Sequence, residues 1–169
     1  MSRQRLLVAA LTLSLSAFVG WKASEGYTDK ATIPVSEDVP TIGHGSTRWE
    51  DGRPVKLGDT ITRERADVLA RHLLREDEKR FAASLPGVRL YQEEYDLYMD
   101  FVGQYGIGNW RKSSMRRHLL AGDYGQACDA LLLWRRGPGG YDCSTPGNRR
   151  CWGVWARQLE RHAKCKGAQ

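Results

Sequence analysis

Glu25-Gly26-Tyr27 and, sixteen residues beyond the glutamate, Thr41-Ile42-Gly43-His44-Gly45 are the two stretches on which the reading of this chain turns. The first directly follows an apolar run. The second is a β-branched pair running into two glycines, the pattern of a short strand that ends in a tight turn. A carboxylic acid at a helix end, facing a β turn, is able to protonate the leaving oxygen of a glycosidic bond. It needs a second group that places water or steadies the charge developing on the sugar ring.

Upstream, Arg3 and Arg5 precede residues 6–21 (LLVAALTLSLSAFVGW), sixteen residues without a charge, and Lys22 follows. A basic start and an apolar stretch make an export element. The stretch falls short of the roughly 20 residues of a stable membrane-spanning helix, and Ala9, Ala10, Thr12, Ser14, Ser16, Ala17 and Gly20 dilute its leucines. Arg3 and Arg5 hold the N-terminus on the cytoplasmic side. Signal-peptidase cleavage is poorly matched. Large Trp21 and Leu15 stand where cuts after Ala23 and Ala17 require small residues, and only Ser14-Leu15-Ser16 offers small ones at both places. The expectation is an uncleaved hydrophobic signal-anchor helix over residues 1–22 and one domain over 23–169; the alternatives are a cleaved signal peptide and, behind it, a buried N-terminal helix of a cytosolic protein.

Downstream, residues 29–58 are rich in Thr, Pro, Gly and Val. Val39-Pro40-Thr41-Ile42 and the turn signal Asp51-Gly52 predict a small hairpin sheet. Helices follow. The first is capped by Thr60 or Thr62 and runs to about Ser84, with Ala66, Leu69, Ala70 and Leu73 at helical spacing and Pro86-Gly87 as its stop. A second runs from about Gln92 to Gln104. It carries Tyr95, Tyr98, Val102 and Tyr105 as a core stripe and is broken by Gly106-Ile107-Gly108. Three more are expected: Met115 to Leu120 capped by Ser113 or Ser114, Asp123 through Leu133, and about Arg149 to Cys165. A small β region followed only by helices is an α+β arrangement.

Hydrophobic residues make up 41% of the chain and charged ones 27%, a globular balance. The net charge of +6 favours polyanions. The basic residues are not interleaved with aromatics in the manner of a nucleic-acid surface, so no nucleic-acid partner is expected. His72, His118 and His162 sit on helices without metal-ligand spacing, and no metal or cofactor is expected. All four cysteines, Cys128, Cys143, Cys151 and Cys165, fall in the last quarter of the chain without a CxxC pair. With an export element present they read as disulfides. Of the three possible connectivities the favoured one joins Cys143 to Cys151, closing a Pro/Gly-rich loop, and Cys128 to Cys165, tying two late helices. Four buried thiols are the alternative.

Further motifs join the two opening stretches in order along the chain. They are FVGQYGIGNW at 101–110, Ser113-Ser114-Met115-Arg116, Gly122-Asp123 with Ala127-Cys128, and GVWARQLE at 153–160. On this ordered set the chain resembles the phage-type lysozymes, glycoside hydrolase family 24, over most of residues 25–165. The resemblance implies a lysozyme-like fold, a small β-hairpin lobe plus a mostly helical lobe. It also implies cleavage of the β-1,4 bond between N-acetylmuramic acid and N-acetylglucosamine in peptidoglycan, with inversion. Glu25 takes the general acid's place and Thr41 that of the threonine that helps hold water. The family's Asp or Cys, nine residues after the Glu, is here Pro34, and Thr41 falls one residue late. Asp38 is the substitute carboxylate, with Glu37 behind it. Gln104, where the family usually has Asn, and His44 are the expected substrate contacts, with a structural turn histidine as the alternative for His44.

The apolar start resembles the signal-anchor-release endolysins. In these a weakly hydrophobic anchor holds the enzyme inactive in the host inner membrane until the membrane potential collapses and the enzyme folds in the periplasm. That implies a monomer whose partners are peptidoglycan and the inner membrane, with a functional link to a holin. Two other readings stay open: a lytic transglycosylase using Glu25 alone, and a non-catalytic wall-binding module.

Overall fold

The computed structural model describes residues 4–34 and 39–169. The chain divides into two compact units. One is Leu13–Arg80; the other joins the residues up to Thr12 with Phe81–Gln169. The boundary after Arg80 falls within a single long helix.

In the Leu13–Arg80 unit, helix α1 spans Leu15–Glu25. Ser14 caps it, its Oγ accepting from the Ala17 N–H at 3.1 Å. It ends at Gly26, whose φ of 74° is a conformation glycine adopts without a Cβ penalty. Strands β2 (Thr28–Thr32) and β3 (Thr41–Gly43) pair antiparallel, Thr28 opposite Gly43 and Thr32 opposite Thr41, with an irregularity between. The expected turn at Asp51-Gly52 forms, with the Gly52 N–H on the Trp49 carbonyl and the Asp51 carboxylate accepting from the Arg53 N–H. Helix α2 spans Arg63–Ala83 and is capped by Thr62, whose Oγ1 accepts from the Arg65 N–H. Its stripe of Ala66 and Leu69 closes on Ala31, Ile42, Val55 and Ile61, with Tyr27, Trp49 and Leu73 packed alongside.

Gly43 is the point of closest approach between strand and helix. A Cβ there would lie 2.8 Å from the Ala66 Cβ, and the backbone φ is +64°. Gly43→Ala combines left-handed strain with overpacking, so it is expected to lower stability by about 2–4 kcal/mol. The urea midpoint of the variant measures this.

In the other unit, strand β1 (Leu6–Leu7) pairs antiparallel with β4 (Arg89–Leu90), and the Val8 N–H continues the ladder to the Val88 carbonyl. Helix α3 covers Gln92–Lys112. Tyr95, Tyr98 and Val102 of the expected stripe are buried, with Phe81, Phe101 and Trp110 around them. The Trp110 Nε1–H donates to Ser84 Oγ at 2.8 Å, satisfying the indole inside an apolar cluster. The expected break comes at Gly106 (φ 81°, ψ 156°), yet helical backbone resumes through Lys112. There the Asn109 side chain donates to the Tyr105 carbonyl, and the buried Trp110 anchors the extra turn.

Helix α4 (Ser114–Ala121) is capped by Ser113. Then come α5 (Tyr124–Ala130), a 3-10 turn over Leu131–Leu133 and α6 (Trp152–Ala168). Disulfides join Cys128 to Cys165 and Cys143 to Cys151, the favoured pairing. On α6, Arg157 and Arg161 converge on Asp100 of α3. Burial pushes the Asp100 carboxyl up, but the hydrogen bond from Arg157 and the charge of Arg161 outweigh it, and the net shift is downward.

The expected N-terminal anchor helix is not the conformation found. Residues 6–21 are divided among β1, a 3-10 turn at Val8–Ala10, a connecting stretch and the start of α1. Among the described residues no helix is long and apolar enough to cross a membrane. The residues that dilute the segment explain the outcome. Ser14 caps a helix rather than continuing one, while Val8 and Leu11 find buried places. The boundary expected after Lys22 lies inside α1.

Candidate active site

Glu25 is the last residue of α1 and is exposed. Its carboxylate lies against the backbone of Gly45: a Cβ built on Gly45 would come within 3.3 Å of Glu25 Oε2. Gly45 has φ +77°, so the turn after β3 needs glycine for its conformation and leaves room for the carboxylate. Thr41 opens β3, half-buried, its Oγ1 donating to the Thr32 carbonyl at 3.4 Å. That direction of donation leaves the Thr41 oxygen lone pairs as acceptors.

His44, between Gly43 and Gly45, is only 5% exposed. Its Nδ1–H donates to the Gly26 carbonyl at 2.6 Å, and its Nε2 faces Asp67 Oδ1 at 2.8 Å. A carbonyl can only accept, so Nδ1 carries the proton. Asp67, on α2, also takes the Lys22 ammonium on Oδ2 at 2.7 Å. The Lys22 hydrogen bond is the main reason the Asp67 carboxyl sits below its ordinary range; slight burial opposes it and the His44 contact adds to it. Lys22 lies one turn before Glu25 on α1.

Tyr27 closes the far side. Its hydroxyl donates to the Ile61 carbonyl at 3.0 Å, its ring lies 5.8 Å from that of His44, and the Arg63 guanidinium stacks 4.3 Å from its centroid. Lys22, Ala23, Gly26, Tyr27, His44 and Arg63 line an open depression of about 360 Å³.

This is a carboxylic acid at a helix end, set against the glycine turn that follows β3. A sequence model describing the phage lysozyme family matches residues 22–152. The chain belongs to the phage lysozyme family. The endolysin of Salmonella phage P22 is 33% identical over 140 residues, covering 83% of this chain and 94% of the relative. A SAR-endolysin of Enterobacteria phage PA-2 is 29% identical over 131 residues, 74% of each chain. A crystal structure of a P22 lysozyme mutant superposes with a TM-score of 0.71 at 29% identity, covering 92% of this chain and 99% of that one.

Glu25, Thr41 and His44 belong to one unit, while Gln104 lies on α3 in the other. Asp38 and Glu37 lie outside the described residues. The Gln104 Oε1 is buried and, among the described residues, has no hydrogen-bond partner. His44 was expected to bind substrate, yet both its ring nitrogens face protein acceptors. Sequence reasoning missed Asp67 and Lys22. The one hint was Lys22 at i−3 from Glu25, and no local pattern links His44 to a carboxylate 23 residues on. Among the described residues no group of three or more His, Cys, Asp or Glu could hold a metal ion.

Gly45→Ala tests the close approach. The strained φ is expected to cost about 1–2 kcal/mol. The new methyl displaces the Glu25 carboxylate by a few tenths of an ångström, so kcat on cell walls should fall several-fold with KM little changed.

Proposed function

We propose that this phage lysozyme is an endolysin that hydrolyses the β-1,4 bond between N-acetylmuramic acid and N-acetylglucosamine, causing host lysis. The observation that carries the reading is the Glu25 carboxylate at the end of α1, set against Gly45 in the turn after β3, in a chain of this family. Glu25 protonates the glycosidic oxygen as the bond to the muramic anomeric carbon breaks. A water accepted by Thr41 and deprotonated by Asp38 attacks the opposite face, giving inversion. The two carboxyl groups should then stand roughly 6.5–9.5 Å apart. Gln104, with its buried acceptor, holds a hydroxyl or amide N–H of the glycan.

The chain acts as a monomer and needs no cofactor. Incubated with purified sacculi, it is expected to release reducing ends in step with clearing. Binding without such release would make it a wall-binding module instead. Pro34, where a carboxylate is usual, favours one second reading, a lytic transglycosylase, whose products lack a reducing end.

We further propose that residues 1–22 first sit in the host inner membrane with the N-terminus cytoplasmic, and that collapse of the membrane potential by a holin releases them to the periplasm. Support comes from the basic, diluted apolar start and from the similarity to a SAR-endolysin. In the folded chain Arg5, Leu6, Leu7 and Val8 are bonded to Glu94 and the β4 region, so extraction from the membrane and completion of that unit are one event. Fractionation before and after collapse should show the full-length chain moving from membrane to periplasm. A shorter soluble form from the outset would mean a cleaved signal peptide.

A further inference from the structure

We infer that His44 is a positioning residue for Glu25, acting through the Gly26 carbonyl with Asp67 as its anchor. The inference rests on the reading of Glu25 as general acid. Glu25 is the last helical residue of α1, so its carboxylate inherits any fraying of that end. Among the described contacts, two links from this end converge on Asp67. Lys22, one turn earlier, reaches Asp67 Oδ2 at 2.7 Å. Gly26, immediately after Glu25, gives its carbonyl to His44 Nδ1–H at 2.6 Å, and His44 Nε2 reaches Asp67 Oδ1 at 2.8 Å.

The residue after His44 is Gly45, the backbone against which Glu25 Oε2 rests. One imidazole therefore fixes the peptide that follows the acid and the turn that backs it, relative to a single carboxylate on α2. Both ring nitrogens are used inside the protein.

The two links of the imidazole can be separated. Asparagine places its amide where Nδ1 stands and so keeps a donor for the Gly26 carbonyl while losing Asp67. Glutamine reaches the Nε2 position and keeps Asp67 while losing Gly26. Misplacing a catalytic group by about 1 Å costs up to about 100-fold in rate. The expected result is that His44→Gln loses 10- to 100-fold in kcat on soluble wall fragments with KM unchanged. His44→Asn should stay within a few-fold of wild type, although both lower Tm.

Asp67→Ala removes the shared anchor at a side chain 34% exposed. It should lose several-fold in kcat and lower Tm, because the buried His44 Nε2 loses its partner. Equal kcat in the two His44 variants, glutamine outperforming asparagine, or an unchanged kcat in Asp67→Ala would overturn the inference. Glu25→Gln, run beside them, keeps the questions apart. Activity in Glu25→Gln rejects the catalytic acid itself, whereas an inactive Glu25→Gln with indifferent His44 and Asp67 variants rejects only the positioning role.

Discussion

Glu25→Gln is expected to lower the rate of wall clearing by about 10²–10⁴-fold, the share that a positioned general acid contributes. The amide keeps the size of the carboxyl and fits the space against Gly45, but it has no proton to give the departing sugar oxygen. Because the side chain is exposed at the end of α1, stability should change by no more than about 0.5 kcal/mol. The loss should appear in kcat and kcat/KM alike, since the missing interaction exists only in the transition state. A rise in KM at constant kcat would instead mean that Glu25 only holds the glycan. Glu25→Asp sharpens the test: it keeps the acid but withdraws it by one methylene from the Gly45 backbone, and should also fall well below wild type.

Arg5→Met carries a large expected effect on stability. Glu94 is 1% exposed on the first turn of α3 and takes two hydrogen bonds from Arg5, at 3.0 and 2.9 Å. It also accepts from the Tyr91 N–H and from Gln169. The guanidinium lies over the rings of Tyr91 and Tyr124, 4.4 and 3.7 Å from their centroids. Removing one partner of a buried pair strands the other charge, which costs about 3–5 kcal/mol. The Arg5 side chain is 23% exposed and so partly screened, which places the expected loss near the lower end, about 3 kcal/mol. Urea unfolding measures it. In the double variant with Glu94→Met the penalty should largely vanish, because no charge is left buried. A single-variant loss below about 1 kcal/mol would mean that Tyr91 and Gln169 satisfy Glu94 without Arg5. Arg5 belongs to the same basic start that was read as a topology signal, so one side chain serves the export reading and the fold.

The parts of the fold legible in the sequence were those set by neighbours in the chain. Thr62 and Ser113 announce their helices because a cap hydroxyl bonds to an N–H three residues ahead. The Asp51-Gly52 turn and the Tyr95–Val102 stripe are equally local. The nonlocal features were not legible. Nothing near Leu6 says that it pairs with Leu90, and an apolar run with a basic start reads the same whether a bilayer or a helical unit covers it. In the candidate site, the helix end at Glu25 and the short strand opening at Thr41 were legible. Asp67 was not, because its role depends on α2 passing beside the β3 turn, which Gly43 permits by giving way to Ala66. Pro34 removed the usual marker for a second carboxylate and left Asp38 to be argued from position alone.

The most direct test of the central claim is digestion of purified sacculi in water enriched in oxygen-18, followed by mass analysis of the fragments. Hydrolysis at Glu25 predicts that each new N-acetylmuramic acid reducing end gains one labelled oxygen, and that Glu25→Gln yields essentially none. Unlabelled fragments lighter by one water, or clearing undiminished in Glu25→Gln, would contradict it.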